Sequence, residues 1–187
     1  MRTAAEAFET LLAALYKLEV PYAVGGSVAS SVYGNYRFTN DVDLVVALRE
    51  EQVKEFLEAL GADFYGDAED IRRAIRTERS ANVIHMPTAY KFNLFPAAKG
   101  DFRARELGRR QYRESPFGGQ TSEFATVSPE DTITAKLDWM RQSGGQSEQQ
   151  LRDILGVIAV QGDRLDRAYL EATAAALGLA EELRRLL

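Results

Sequence analysis

Cysteine is absent from this chain of 187 residues, and histidine occurs once, at His85. The first absence excludes disulfides, thiolate-bound zinc, iron–sulfur clusters and thiol nucleophiles. The second excludes a multi-histidine metal centre and leaves one candidate for a histidine-based triad. No apolar run approaches the ~18 residues that a membrane span needs. The first fifteen residues mix Arg and Glu into a helical pattern, with no secretory apolar core. A soluble, cytoplasmic protein is expected. With 45% hydrophobic and 27% charged residues, the composition is neither disordered nor collagen-like. The length suits one domain, or one domain and a small appendage.

The net charge of −5 hides an asymmetry. Residues 71–113 carry eleven Arg and Lys against three acids, a local net of +8 that leaves −13 on the remainder. Arg72, Arg73, Arg76 and Arg79 come first; Arg103, Arg105, Arg109, Arg110 and Arg113 follow. Such a segment either offers a surface to phosphate groups, as tRNA or another RNA would require, or is a set of solvated helix faces paired with acidic flanks.

Hydrophobic spacing predicts a helix over 3–18, with Phe8, Leu11, Leu12, Leu15 and Leu18 on one stripe. Pro21 ends it, and Tyr22–Val24 reads as a short buried strand. Gly25-Gly26-Ser27 then turns the chain into a short helix over 28–32. Asp41–Val46 is a strand by its β-branched content. A second amphipathic helix runs over 50–60 and closes at Gly61. Residues 81–85 and 90–95 predict a hairpin around Pro87, and 123–127 one further strand. From Ser128 onward the pattern is helical: a serine cap with Pro129 and two acids, a helix to about Arg141, and a break at Ser143-Gly144-Gly145. Further helices are expected over 147–160, 168–177 and 180–187. Trp139 falls at helical spacing with Ile133, Leu137 and Met140, which predicts a core residue. The expected organisation is a mixed α/β part over 1–127 and a helical part over 128–187.

Chemistry concentrates in two places. Residues two apart on a strand face the same side, so Asp41 and Asp43 project together while Val42 and Leu44 enter the core. Two adjacent carboxylates repel, and a hard divalent cation relieves them; carboxylates together with substrate phosphates are the usual Mg²⁺ environment. Upstream, the glycines of Gly25-Gly26-Ser27 let backbone N–H groups approach an anion, and the next helix adds its dipole. Either motif alone is common. In the order strand, GGS, helix, strand, DxD, they describe a place to hold a nucleoside triphosphate.

With Gly26, Ser27, Asp41 and Asp43 in that order, the sequence resembles the nucleotidyltransferase superfamily of polymerase-beta-like fold. The resemblance is strong over 22–46 and extends to about residue 95. It implies an α+β fold, a small mixed sheet with helices packed on it, followed here by a C-terminal helical bundle. It also implies an NTP bound with Mg²⁺ or Mn²⁺ and transfer of a nucleotidyl group to a hydroxyl of RNA, protein or a small molecule. The tail is similar to AbiEii-type toxins of toxin–antitoxin and phage-defence modules, which carry a helical lysine and a downstream Arg-Asp pair; Lys136 and Asp153 match. A cognate antitoxin is then an implied partner. The implied metal ligands are Asp41 and Asp43, and the implied catalytic set is Asp41, Asp43, Lys136 and Asp153. Gly25, Gly26, Ser27, Thr39, Lys91 and Asn93 are expected near the nucleotide.

The sequence departs from that pattern at one point. The superfamily usually places a third carboxylate on a neighbouring strand, and the corresponding position here, in Lys91-Phe92-Asn93-Leu94-Phe95, is Asn93. An amide offers a carbonyl oxygen but neither charge nor basicity. In two-metal phosphoryl transfer this weakens the ion that activates the acceptor. Two outcomes follow: another acid such as Asp153 substitutes, or the chain is an impaired relative that binds NTP as a regulatory module.

Overall fold

The computed structural model describes residues 3–98, 100–115, 123–144 and 147–187. Lys99 of the basic segment and Gly145 of the expected break lie outside the described residues. The chain forms two compact units: Met1–Val24 with Thr39–Thr126, and Gly25–Phe38 with Val127–Leu187. Residues 25–38, placed by sequence in the α/β part, thus pack with the C-terminal helices. The chain leaves the first unit directly after Val24 and re-enters it at Thr39.

The first unit is built on a seven-stranded mixed sheet. Its strands are β1 (Tyr22–Val24), β2 (Asp41–Val46), β3 (Phe64–Tyr65), β4 (Ala81–His85), β5 (Tyr90–Pro96), β6 (Gln111–Glu114) and β7 (Glu123–Thr126), in the spatial order β3-β4-β5-β2-β1-β7-β6. β2 lies at the centre, antiparallel to β1 and parallel to β5. Alternation decides the faces. Val42, Leu44, Phe92, Leu94 and Val83 are buried, whereas Asp41, Asp43, Lys91 and Asn93 are only partly so. Helices α1 (Ala4–Lys17), α3 (Val53–Leu60) and α4 (Ala68–Thr77) supply Phe8, Leu11, Leu15, Phe56 and Ile71 to the core. Burying each such side chain contributes about 1.5–3 kcal/mol. Thr3 caps α1 in a box with Glu6, which satisfies two N-terminal N–H groups.

The helix α4, the strands β3 and β6 and the helix α5 (Phe102–Gly108) carry no expectation from sequence. Asp67 and Asp101 cap the two helices through the N–H groups of Asp70 and Ala104. Arg72 pairs with Glu69, Arg73 with Asp70 and Arg76 with Glu50. Arg103 donates to the carbonyls of Glu78 and Pro96 and lies over the Phe95 ring. Much of the basic segment is therefore engaged with its own surroundings.

The second unit comprises α2 (Gly26–Tyr33), α6 (Pro129–Gln142), α7 (Glu148–Gln161), α8 (Arg167–Ala176) and α9 (Ala180–Arg184). Tyr33, Ile133, Leu137, Ile154, Val157, Leu170, Ala174 and Leu183 belong to its core. Gly34, at the end of α2, sits so close to α7 that an added Cβ would fall 2.7 Å from the Val157 nitrogen. Trp139 departs from expectation: it is 52% exposed, because α6 turns Ile133 and Leu137 inward and leaves the tryptophan on its open side. Among the described residues, no helix is long and apolar enough to cross a membrane.

Candidate active site

The first unit carries a pair of carboxylates whose positions are set by neighbours. On β2, Asp41 is in register with Lys91 of β5, and Asp43 with Asn93. The Thr39 hydroxyl donates to Asp41 Oδ1 at 2.7 Å, and the Thr39 carbonyl accepts from the Tyr90 hydroxyl at 3.2 Å. The Asn93 amide donates to Asp43 Oδ1 at 2.8 Å. Thr39 and Asn93, expected beside the nucleotide, are here the groups that aim the two aspartates. Among the described residues, no cluster of three or more His, Asp or Glu assembles. The donor set is all oxygen, two partly buried carboxylates beside an amide, and it fits a hard divalent cation.

The second unit, taken by itself, carries the glycine turn and a buried ion network. Gly25 caps α2, and Gly26 opens it at a φ of +55°. That left-handed value suits glycine and disfavours any side chain with a Cβ. At Gly25 an added Cβ would only touch Val127 at 3.9 Å, so the strict requirement is at Gly26. The α2 N-terminus directs its unsatisfied N–H groups and positive dipole end from this turn, an arrangement suited to an anion.

Asp153 of α7 is the hub of the network. Its Oδ2 accepts from Lys136 Nζ at 2.8 Å and from Ser30 Oγ at 3.4 Å, and its Oδ1 from Gln149 at 2.9 Å. Arg37 Nε approaches the two oxygens at 3.2 and 3.3 Å, and the same guanidinium donates to the Ser27 hydroxyl. The backbone N–H of Arg37 donates to Ser31 Oγ. Lys136 is buried and also donates to Gln150 at 2.7 Å, whereas the Arg37 side chain keeps 29% exposure. Burial pushes the Asp153 carboxyl up, but the Lys136 hydrogen bond and charge, the Gln149 amide and the Arg37 charge outweigh it and hold it below its ordinary value. The resemblance implies Lys136 and Asp153 as catalytic residues. In the structure the two engage each other, and Arg152 pairs with Glu148.

Arg37 is a functional candidate absent from the sequence-based set; the fold shows its guanidinium between Asp153 and the Ser27 hydroxyl.

Residues 10–179 match the family described as nucleotidyl transferase AbiEii toxin, type IV toxin–antitoxin system. The chain belongs to this AbiEii family of nucleotidyltransferases. Among solved structures, it is similar to the antibiotic-resistance factor ANT(2'')-Ia, with a TM-score of 0.56 and 16% identity over 97% of this chain and 96% of that one. An antigenic nucleotidyltransferase-like protein from Paracoccidioides brasiliensis gives 0.54 and 19% over 93% and 90%. The lincosamide antibiotic adenylyltransferase LnuA, lincomycin-bound, gives 0.50 and 15% over 86% and 99%. These likenesses establish the nucleotidyltransferase fold for the AbiEii-type chain. No curated protein matches it.

Proposed function

We propose that this AbiEii-family enzyme moves a nucleotidyl group from a Mg²⁺-bound NTP to an acceptor hydroxyl, with Asp41 and Asp43 as the metal ligands. The observation that carries this is the aimed pair: two carboxylates on one face of the central strand, each fixed by a separate hydrogen bond, from Thr39 and from Asn93. Mg²⁺ or Mn²⁺ there supplies charge neutralisation on the triphosphate. In the second unit, Gly26 and Ser27 open α2 with N–H groups of the kind that suit phosphate oxygens. Lys91, in register with Asp41, adds a cation on the same sheet face.

Of the two cations on Asp153, Arg37 rather than Lys136 keeps enough exposure to meet phosphate charge. Lys136 spends its ammonium on Asp153 and Gln150. Arg37, partly exposed and joined to the Ser27 hydroxyl, is the one placed to meet developing charge, the kind of electrostatic contact that commonly contributes most to such catalysis. Asp153 and Lys136 are then positioning residues that hold Arg37 in place. The amide of Asn93 accepts no proton, so the acceptor gives its proton to an aspartate or to water.

Transfer of label from α-labelled NTPs to total cell RNA, protein and small-molecule extracts tests this. Label should appear in one fraction and vanish in Asp41→Ala and Asp43→Ala that retain their fold. A cognate antitoxin is the expected partner, as the toxin–antitoxin description of the family implies. Asn93 favours a second reading, an impaired NTP-binding module. In that case Mg²⁺ with NTP raises the melting temperature without product, and Asn93→Asp gains transfer.

A further inference from the structure

The sheet is left unfinished at its β3–β4 edge. β3 pairs with β4 through Phe64↔His85 and Tyr65↔Ile84, whereas β4 pairs with β5 along its whole length, from Ala81 to His85. The chain leaves the edge at Gly66. A Cβ there would fall 2.9 Å from Leu57 Cδ2 and 3.4 Å from Val83 Cγ2, so glycine lets the backbone dive toward the core and on into α4. The Met86 N–H donates to the Asp63 carbonyl at 2.8 Å, and this fixes the parity of β4. The main-chain groups of Ile84 and Asn82 face the β3 side, and those of His85, Val83 and Ala81 face β5. Asn82 therefore turns its N–H and C=O outward past the end of β3, where the β3 register has stopped.

The space in line with β3 is a groove of about 570 Å³. Asn82 and Ile84 of β4 line it together with Arg73, Ala74 and Thr77 of α4. An edge strand facing a helix across such a groove is the arrangement by which added strands are recognised: main-chain bonds hold the peptide, and side-chain contacts select it. The groove has electrical polarity. Asp67 follows Tyr65 at one end, and Arg79 precedes β4 at the other. Arg73 is already paired with Asp70. Arg79 is exposed and, among the described residues, its guanidinium makes no ion pair; its neighbour Glu78 does not line the groove.

We propose that this groove binds the carboxy-terminal tail of a partner protein as an added β-strand, antiparallel to β4 and in line with β3, with its terminal carboxylate at Arg79. The inference is independent of the chemistry at Asp41 and Asp43. A strand continuing β3 runs from the Tyr65 end to the Arg79 end, so its carboxyl end arrives at the cation. The opposite direction would set that end against Asp67. The peptide residue opposite Asn82 exchanges an N–H···O=C pair with it. At ~3.4 Å per residue, about four residues cover the edge from Val83 to Ser80. An RNA strand is disfavoured here, because Asp67 and Asp70 present carboxylates to its phosphates.

The test begins with a library of random seven-residue peptides displayed with free carboxyl termini and selected on the full chain. The enriched sequence is then synthesised as the free acid and as the amide and titrated by fluorescence anisotropy. The acid should bind about tenfold more tightly than the amide, and Arg79→Gln should erase that difference. Asn82→Pro removes the outward N–H at a position where an edge strand tolerates proline, so it should abolish binding at an unchanged melting temperature. Asn82→Ala, which keeps the N–H, should bind as the parent does. Hydrogen exchange at the Asn82 amide of the parent chain should slow with peptide, a readout that stands even where Asn82→Pro does not fold. No enriched sequence, equal binding of acid and amide, binding retained in folded Asn82→Pro, or unchanged exchange at Asn82 overturns the inference. A doubled mass in light scattering that Asn82→Pro halves also overturns it, by assigning the edge to a second copy. Displacement of the peptide by a single-stranded oligoribonucleotide that protects the same amide overturns it in favour of RNA.

Discussion

Asp153→Ala strips the negative centre from a network that otherwise holds two cations. Lys136 is left buried, at 6% side-chain exposure, with its charge no longer compensated. Removing one partner of a buried pair costs about 3–5 kcal/mol, far more than the ~0–1 kcal/mol of a surface pair such as Arg152–Glu148. For a chain of this size each kcal/mol shifts the melting temperature by roughly 2–4 °C, so a fall of about 6–20 °C is expected. Lys136→Met with Asp153→Leu removes both charges and should recover most of that loss. The pH dependence has a definite sign. The Asp153 carboxyl is depressed in the folded state, so its contribution is full above the unfolded carboxylate pKa of ~3.9 and disappears as pH falls through the lower folded value. The gap between the parent chain and Asp153→Ala should therefore be constant near neutrality and narrow only below about pH 4. Urea melts at several pH values read this directly. A loss under ~1 kcal/mol at pH 7, or no recovery in the double variant, would refute the assignment of Asp153 as a buried electrostatic hub.

Other predictions use the same geometry. Gly26→Ala should cost about 1–2 kcal/mol because its φ is positive, while Gly25→Ala should fold normally; paired denaturant melts distinguish them. Thr39→Val removes the hydroxyl that aims Asp41 and should slow transfer about tenfold or more with an unchanged melting temperature, as expected for a positioning group worth ~1.5 kcal/mol. Arg37→Lys should lower kcat more than it raises the KM for NTP, because an ammonium cannot bridge Asp153 and Ser27 as the guanidinium fork does. Asn93→Asp places a carboxylate where an amide now donates to Asp43, so it should destabilise the metal-free chain and make its melting temperature rise steeply with added Mg²⁺.

The strands and helices with strong periodicity were legible in the sequence. β2 announced itself through alternating aspartates and branched residues, and α6 through the Ser128-Pro129 start; both formed within a residue or two of expectation. α4 was not legible, since in AEDIRRAIRT Ile71 and Ala74 are its buried residues and charge dominates the pattern. β3 has two residues, too few for any period to show. The 25–38 segment grouped with the C-terminal helices because Gly34 and Gly156 admit backbone contact, which no local pattern reveals. At the site, Asp41 and Asp43 were readable because two-residue spacing fixes a strand face. The partnership of Lys136 with Asp153 spans 17 positions and that of Arg37 with Asp153 spans 116, so both depended on tertiary packing.

The most direct measurement is anomalous diffraction from crystals soaked with Mn²⁺ and a non-hydrolysable NTP. The expected map has a manganese peak coordinated by the Asp41 and Asp43 carboxylates and by triphosphate oxygens. A peak elsewhere, or a bound triphosphate with no manganese at those aspartates, would contradict the claim that the β2 pair is the metal-binding heart of the enzyme.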